Sequence, residues 1–313
     1  MKNKEVWRLF IQFLGTAAAE GIPALFCQCA VCRKARETGG KEIRTRSGAM
    51  IDGRLKLDFG PDSFVHMQRY GLNYGVMQSV LITHSHSDHL AASELLFRIP
   101  GYCYQADGAP PQTTLTIYGN ARVGEQIERF TRHHSNCLAF REMTPFKPVK
   151  IEDYSVVALE AVHCQDQDSG KYPVQFEGRT IYRAEVALIY LIEKNGQRIL
   201  YAHDTCEFTE ANMTYLAGKR VDLISLDCTG GSWHYDYSGR VGHMTSEGCL
   251  NMRKKLLAIG AADKNTVFVA NHFSHNGYST YEDMERITPG FIISYDGLTI
   301  HLDTKEKGAE HDC

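Results

Sequence analysis

The run Thr83-His84-Ser85-His86-Ser87-Asp88-His89 places three imidazoles and a carboxylate within six positions. These are the common ligand types of zinc, manganese and iron. A His-x-His step at a strand end lets two rings converge on one ion, and the Asp-His pair after it can face a second. So dense a polar set costs stability unless something binds it. Cys27-Gln28-Cys29-Ala30-Val31-Cys32 is a second constellation, with three thiols in six positions. Three thiolates can take three corners of a tetrahedral zinc, and the fourth ligand must come from elsewhere. His275, three residues after His272 in Asn271-His272-Phe273-Ser274-His275, is the best candidate. A closed four-coordinate zinc is structural, and it would tie the N-terminal loop to the segment carrying His272.

The elements that must position these groups alternate between strand and helix patterns. Ser79–Thr83 is a short apolar run leading straight into the histidines, and Thr114–Tyr118 is another. Ala121–Arg132 carries Val123, Ile127 and Phe130 on one helical face. Leu9–Leu14, Tyr154–Val162, Val186–Ile192, Arg198–Ala202, Val221–Leu226, Val267–Ala270, Phe291–Ser294 and Leu298–Leu302 read as strands, with Asn195-Gly196 a hairpin turn between two of them. Ser246–Ile259 reads as a helix started by Thr245 and stopped by Gly260. Three further ligand-type residues then fall at strand ends: His163, Asp204 and His272. With the first cluster they make a seven-ligand set. Pro100–Pro111, Gln165–Arg183 and Gly230–Gly242 read as long functional loops. Trp233, His234, Tyr235 and Tyr237 in the last of these are candidates to line a substrate mouth. His203 points away from the ligands if its strand alternates, and nothing in the spacing makes Cys164 or Cys228 a ligand.

Composition narrows the field. The chain has 313 residues, 43% of them hydrophobic and 23% charged, with a formal charge of −3. That is ordinary globular usage and excludes disordered or fibrous chains. The slight acidity argues against nucleic acid or an anionic membrane as the main attraction. No stretch approaches the roughly 20 apolar residues of a membrane span. Glu20 interrupts the one apolar run near the N-terminus, so the reading is a cytoplasmic protein of one domain over residues 1–313, with the cysteine knuckle at 27–32 inside it. Base rates alone favour a homodimer.

The order THSHSDH, a lone histidine, a strand-end aspartate and a late histidine resembles the metallo-β-lactamase fold superfamily. Leu57-Asp58-Phe59-Gly60 resembles that superfamily's first motif, an Asp-x-Gly turn. The resemblance runs from about residue 9 to about residue 302. It implies an α/β chain folded as an αββα four-layer sandwich with two metal ions at the edge of the sheets. Carried over by position, it implies that His84, His86 and His163 hold one ion, that Asp88, His89 and His272 hold the other, and that Asp204 bridges them. Asp58 is then a brace rather than a ligand. Gly15 to Pro23 with the cysteine knuckle resembles a smaller branch, the accessory phosphodiesterase of the carbon–phosphorus lyase pathway. That branch implies manganese or zinc at the paired site, a separate structural zinc, and an extra active-site histidine matched here by His243.

The expected activity is hydrolysis of a small phosphodiester, cyclic nucleotide or ribose phosphate included. Paired cations roughly 3.5–4 Å apart make a nucleophile of a bridging hydroxide at neutral pH and clamp a phosphoryl oxygen. Asp88 and His243 are the expected catalytic residues, with His243 protonating the leaving oxygen or hydrogen-bonding the phosphoryl group. The alternatives are a tRNA 3′-processing nuclease, disfavoured by the absence of a basic arm, a two-iron redox protein, and a non-catalytic metal-binding pathway protein.

Overall fold

The computed structural model describes residues 9–163, 171–176, 179–233 and 242–302. Two seven-stranded mixed sheets lie face to face. The first comprises β1 (Phe10–Gly15), β2 (Gly48–Ile51), β3 (Leu55–Leu57), β4 (Ser79–Leu81), β5 (Leu115–Gly119) and β6 (Leu138–Glu142), with the late strand β16 (Thr299–His301) at its edge beside β1. The second is built from β7 (Pro148–Ile151), β8 (Tyr154–Glu160), β11 (Leu188–Lys194), β12 (Gln197–Ala202), β13 (Leu223–Asp227), β14 (Val267–Asn271) and β15 (Ile292–Ile293), in the spatial order β15-β14-β13-β12-β11-β8-β7. A separate hairpin, β9 (Tyr172–Phe176) and β10 (Arg179–Arg183), leads into β11.

The strands of the second sheet are apolar on both faces, as strands covered on both sides must be. In β8, Val156 and Ala158 point to the other sheet while Val157 and Leu159 point outward. The inward set meets Ile11, Phe13, Ile51, Leu55 and Leu81 of the first sheet, and this is the central core. The outward set packs under α1 (Ala30–Thr38), α4 (Glu210–Leu216), α5 (Ser246–Ala258) and α6 (Tyr281–Ile287). On the far side of the first sheet, α3 (Ala121–His133) lays Val123, Ile127 and Phe130 against Val80, Ile82 and Ile117. The short α2 (Ser63–Tyr70) follows the Asp58 turn. This is the expected αββα sandwich.

Most strands and both long helices fall within three residues of their expected bounds. Thr245 caps α5 through its hydroxyl. Asn195 and Gly196 both have positive φ (52° and 76°), as a tight hairpin turn requires. The segment Gln165–Arg183 is corrected: its described part is the β9–β10 hairpin, not a loop. Tyr172, Val174, Phe176, Ile181 and Tyr182 supply the β-branched and aromatic content that a strand needs, and the prolines and glycines nearby obscured it. No described helix is long and apolar enough to cross a membrane.

The Asp58-Phe59-Gly60 turn fixes the loop that carries the histidines. Phe59 donates to the His89 carbonyl (2.8 Å), and Ala91 donates back to Phe59 (2.7 Å). Gly60 lies so close to the Asp88 carbonyl that a Cβ there would sit 1.9 Å from its oxygen. Gly60→Ala should therefore displace Asp88 and destabilise the fold by about 3 kcal/mol, the upper range of overpacking. Gly53→Ala, at φ 67° in open space, should cost about 1 kcal/mol, the left-handed penalty alone. Paired urea titrations check the contrast.

Candidate metal centre

Strands β4, β8, β12 and β14 all end at one edge of the sandwich, and the expected ligands follow those ends. His84 to His89 occupy the loop after β4. His163 and Asp204 lie two or three residues past β8 and β12, and His272 directly follows β14. Asp58, Asp204 and His272 all have positive φ (58°, 50° and 63°). A left-handed backbone is costly for such residues and persists where surrounding bonds enforce it. Here it aims each side chain inward.

The structure brings all seven expected residues together. His84 Nε2 lies 2.7 Å from His86 Nδ1, and His163 Nε2 lies 3.2 Å from the same atom. The opposite group has His89 Nε2 3.1 Å from an oxygen of Asp88. Asp204 stands between the two. Its Oδ1 is 3.7 Å from His163 Nε2, and its Oδ2 is 2.9 Å from Nε2 of both His89 and His272. Ligand atoms of His84, His86 and His163 fall within 4.8 Å of one another, and so do those of Asp88, His89 and His272.

The donor set fits divalent cations. His89 Nε2, His272 Nε2 and Asp204 Oδ2 are buried and make no hydrogen bond despite their proximity. Buried polar atoms are rarely left so, and three that converge on one point mark the place of an ion. Their partners on the other side are fixed. His89 Nδ1 bonds Asp58 Oδ2 at 2.8 Å, and His272 Nδ1 bonds the Thr229 hydroxyl at 2.8 Å. Asp58 Oδ1 also takes the Thr83 amide (2.8 Å) and hydroxyl (2.9 Å), so it is the expected brace.

Protonation follows from the same geometry. Burial favours neutral His84 and His163, taking His163 down to about 4. Burial acts the same way on His89 and His272, but carboxylates outweigh it. Asp88, Asp204 and Asp58 raise His89, and Asp204 foremost takes His272 up to about 10. Divalent cations binding there would take the place of those protons.

His243 lies at the rim. Its ring is 5.1 Å from His163 and stacks at 5.8 Å on His272. Its Nδ1 is 3.0 Å from Asp227 Oδ2. Partial burial opposes its charged form, but Asp227 outweighs that and raises it. Asp227 was missed in the sequence. It is fully buried and accepts from the amides of Asp204, Thr229 and Met244 (each 3.0 Å). Its one signal is a carboxylate closing the apolar run Val221–Leu226. Glu185, which bonds the histidine loop at Ser85, and Asn120, which holds Glu185, carried no signal at all.

The cysteine knuckle is also assembled. His275 Nδ1 lies 3.4 Å from Cys27 Sγ and 3.6 Å from Cys29 Sγ, with Cys32 in the same group. The amides of Cys29, Cys32 and Ala24 point at Cys27, Cys29 and Cys32 sulfur at 3.4–3.5 Å. Such amides suit thiolates that share a cation. His203 bonds Ser225 (2.7 Å) and stacks on His272 at 6.0 Å, but belongs to none of the candidate ligand groups. Trp233 pairs with Tyr278 at 5.9 Å. Cys228 is buried in the core under the helices. Cys164, His234, Tyr235 and Tyr237 lie outside the described residues.

Fold and site together define a metal-binding sandwich, and the chain belongs to the beta-lactamase superfamily domain family, whose model matches residues 56–297. Coenzyme PQQ synthesis protein B of Klebsiella pneumoniae is 23% identical over 318 residues, covering 94% of this chain and 98% of that protein. The Zn2+-bound PqqB from Methylobacterium extorquens superposes with a TM-score of 0.68 at 21% identity, covering 94% of this chain and all of that one. A diphosphatase of the PhnP family superposes at 0.67 with 19% identity, covering 95% and 98%.

Asp58→Asn keeps the shape but turns an amide N–H2 or a weaker acceptor toward His89. It should weaken metal affinity about 10–100-fold, as loss of an outer hydrogen-bond partner does, and competition with a chromophoric chelator measures it. His275→Ala should release zinc from the knuckle and lower the melting temperature, as elemental analysis and a thermal melt would report.

Proposed function

We propose that the protein is a binuclear metal-dependent hydrolase of small phosphodiesters. The supporting observation is the Asp227–His243 pair standing at the rim of the seven-residue cage. A cage alone serves many ends. A carboxylate-backed imidazole beside it serves the departure of a poor leaving group.

His84, His86 and His163 would hold one ion, Asp88, His89 and His272 the other, with Asp204 between them. Two divalent cations bound there supply Lewis acidity to a phosphoryl oxygen and a nucleophile from water at neutral pH. Asp58 keeps His89 in the tautomer whose Nε2 lone pair faces the cage. Thr229 does the same for His272. Asp227 holds the proton on Nδ1 of His243, leaving Nε2 to carry the proton given to the leaving oxygen. Asp227 favours the protonated form of His243. The structural likeness to a diphosphatase of the PhnP family is consistent with phosphoryl chemistry.

The protein loaded with Mn2+ or Zn2+ should turn over bis(p-nitrophenyl) phosphate and at least one cyclic nucleotide. His243→Asn should slow the cyclic nucleotide by about 10²–10⁴-fold, the worth of a general acid, and the nitrophenyl ester far less. A fully loaded protein inert toward every diester would overturn the reading. It would favour instead a metal-binding pathway protein, the reading to which the relation with coenzyme PQQ synthesis protein B lends weight.

A further inference from the structure

Glu185 lies in the turn between β10 and β11, is only 8% exposed, and belongs to none of the candidate ligand groups. Both of its oxygens face the Ser85 amide, at 3.2 and 3.1 Å. Oε1 also accepts from the Ser85 hydroxyl (2.7 Å), and Oε2 from Asn120 Nδ2 (2.7 Å). Asn120 is held in turn, because its Nδ2 also reaches the Val186 carbonyl (2.9 Å) and its Oδ1 caps α3 at the Val123 amide (3.0 Å). The neighbouring backbone is pinned by the same segment: Leu188 donates to the Thr83 carbonyl (2.9 Å) and Tyr190 to that of Ile82 (2.6 Å).

Ser85 is the residue between His84 and His86. Fixing its amide and hydroxyl fixes the angle at which the two rings diverge. The charge of Glu185 matters as well as its bonds. The centre made by Asp88, His89 and His272 has Asp88 and half of Asp204 on its own account, with Asp58 behind it. The centre made by His84, His86 and His163 has three neutral rings and only the other oxygen of Asp204. A dication there meets little negative charge, and Glu185 adds a carboxylate hydrogen-bonded to the residue between two of its ligands.

We propose that Glu185 is the positioning residue of the three-histidine centre, holding the His84-Ser85-His86 step in its binding geometry and lending that centre negative charge from outside. Asp58 bonds the His89 ring itself, whereas Glu185 acts on His84 and His86 through the residue between them. The inference rests on the reading that these histidines hold an ion.

The test follows Mn2+ loading by electron paramagnetic resonance, in which a spin-coupled pair differs from isolated ions, using protein whose histidine cage has been emptied with a chelator while the cysteine knuckle keeps its zinc. In the wild-type protein, the coupled signal should form as the second ion binds. Glu185→Gln keeps the volume but removes the charge. It should shift formation of the coupled signal to about 10–100-fold higher Mn2+, leaving the first ion's affinity within about threefold and the circular dichroism unchanged. Glu185→Asp should recover part of the loss. Ser85→Ala, which keeps the charge and the amide bond, should shift it by a smaller factor of about three to ten and provides the test if Glu185→Gln does not fold. Unchanged second-ion affinity in the folded Glu185 variant, or in Ser85→Ala should that one be needed, overturns the role. So does an equal loss at both centres. If the wild-type protein never forms a coupled pair, the two-ion reading itself has failed.

Discussion

Lone pairs of buried imidazoles and carboxylates repel when they face one another, and here seven side chains aim theirs into one small volume. Within the protein only protonation of the rings relieves that arrangement. Three of the atoms make no hydrogen bond, and the neighbouring carboxylates favour the protonated forms of two histidines. Without a cation, the interior is a cluster of unsatisfied donors and strained backbone. With cations it becomes a set of coordinate bonds, and the cost of assembling it is offset. The rest of the structure serves to hold that unfavourable cluster together.

The sandwich does this by dividing the labour between its sheets. The first sheet delivers His84 to His89 on one loop, braced on the inside by Asp58 and on the outside by Glu185. The second delivers His163, Asp204 and His272 from three strands ending at the same edge. Asp227, buried beneath the rim, gathers amides from both sides of the site and holds His243 upright. Anions therefore occur at three levels: against the ions, behind the ligands and under the rim histidine. Only the first level would touch a metal.

The ligands were legible because metal chemistry demands particular side chains at particular strand ends. THSHSDH and the cysteine knuckle could be read from spacing alone, and His163, Asp204 and His272 joined them from their places at strand ends, while the division of the seven between two ions needed the resemblance to a known motif order. The long strands and helices were legible from their apolar periods. The three-residue strand β3 was not, since a run that short carries no period, and the β9–β10 hairpin was hidden by its proline and glycine neighbours. Asp227 and Glu185 were illegible for a different reason. An outer carboxylate acts on the backbone or ring of another residue, so its own neighbours in sequence reveal nothing. Glu185 lies 100 residues from Ser85, a distance that only folding closes.

His272 and His275 lie on one turn, and each completes a cage begun much earlier in the chain. A ribosome must extrude more than 270 residues before either cage can be closed. Metal ions held in these cages could thus be enclosed only late in synthesis, when every strand but β15 and β16 has been made. Until then the early cysteines and histidines wait as open half-sites.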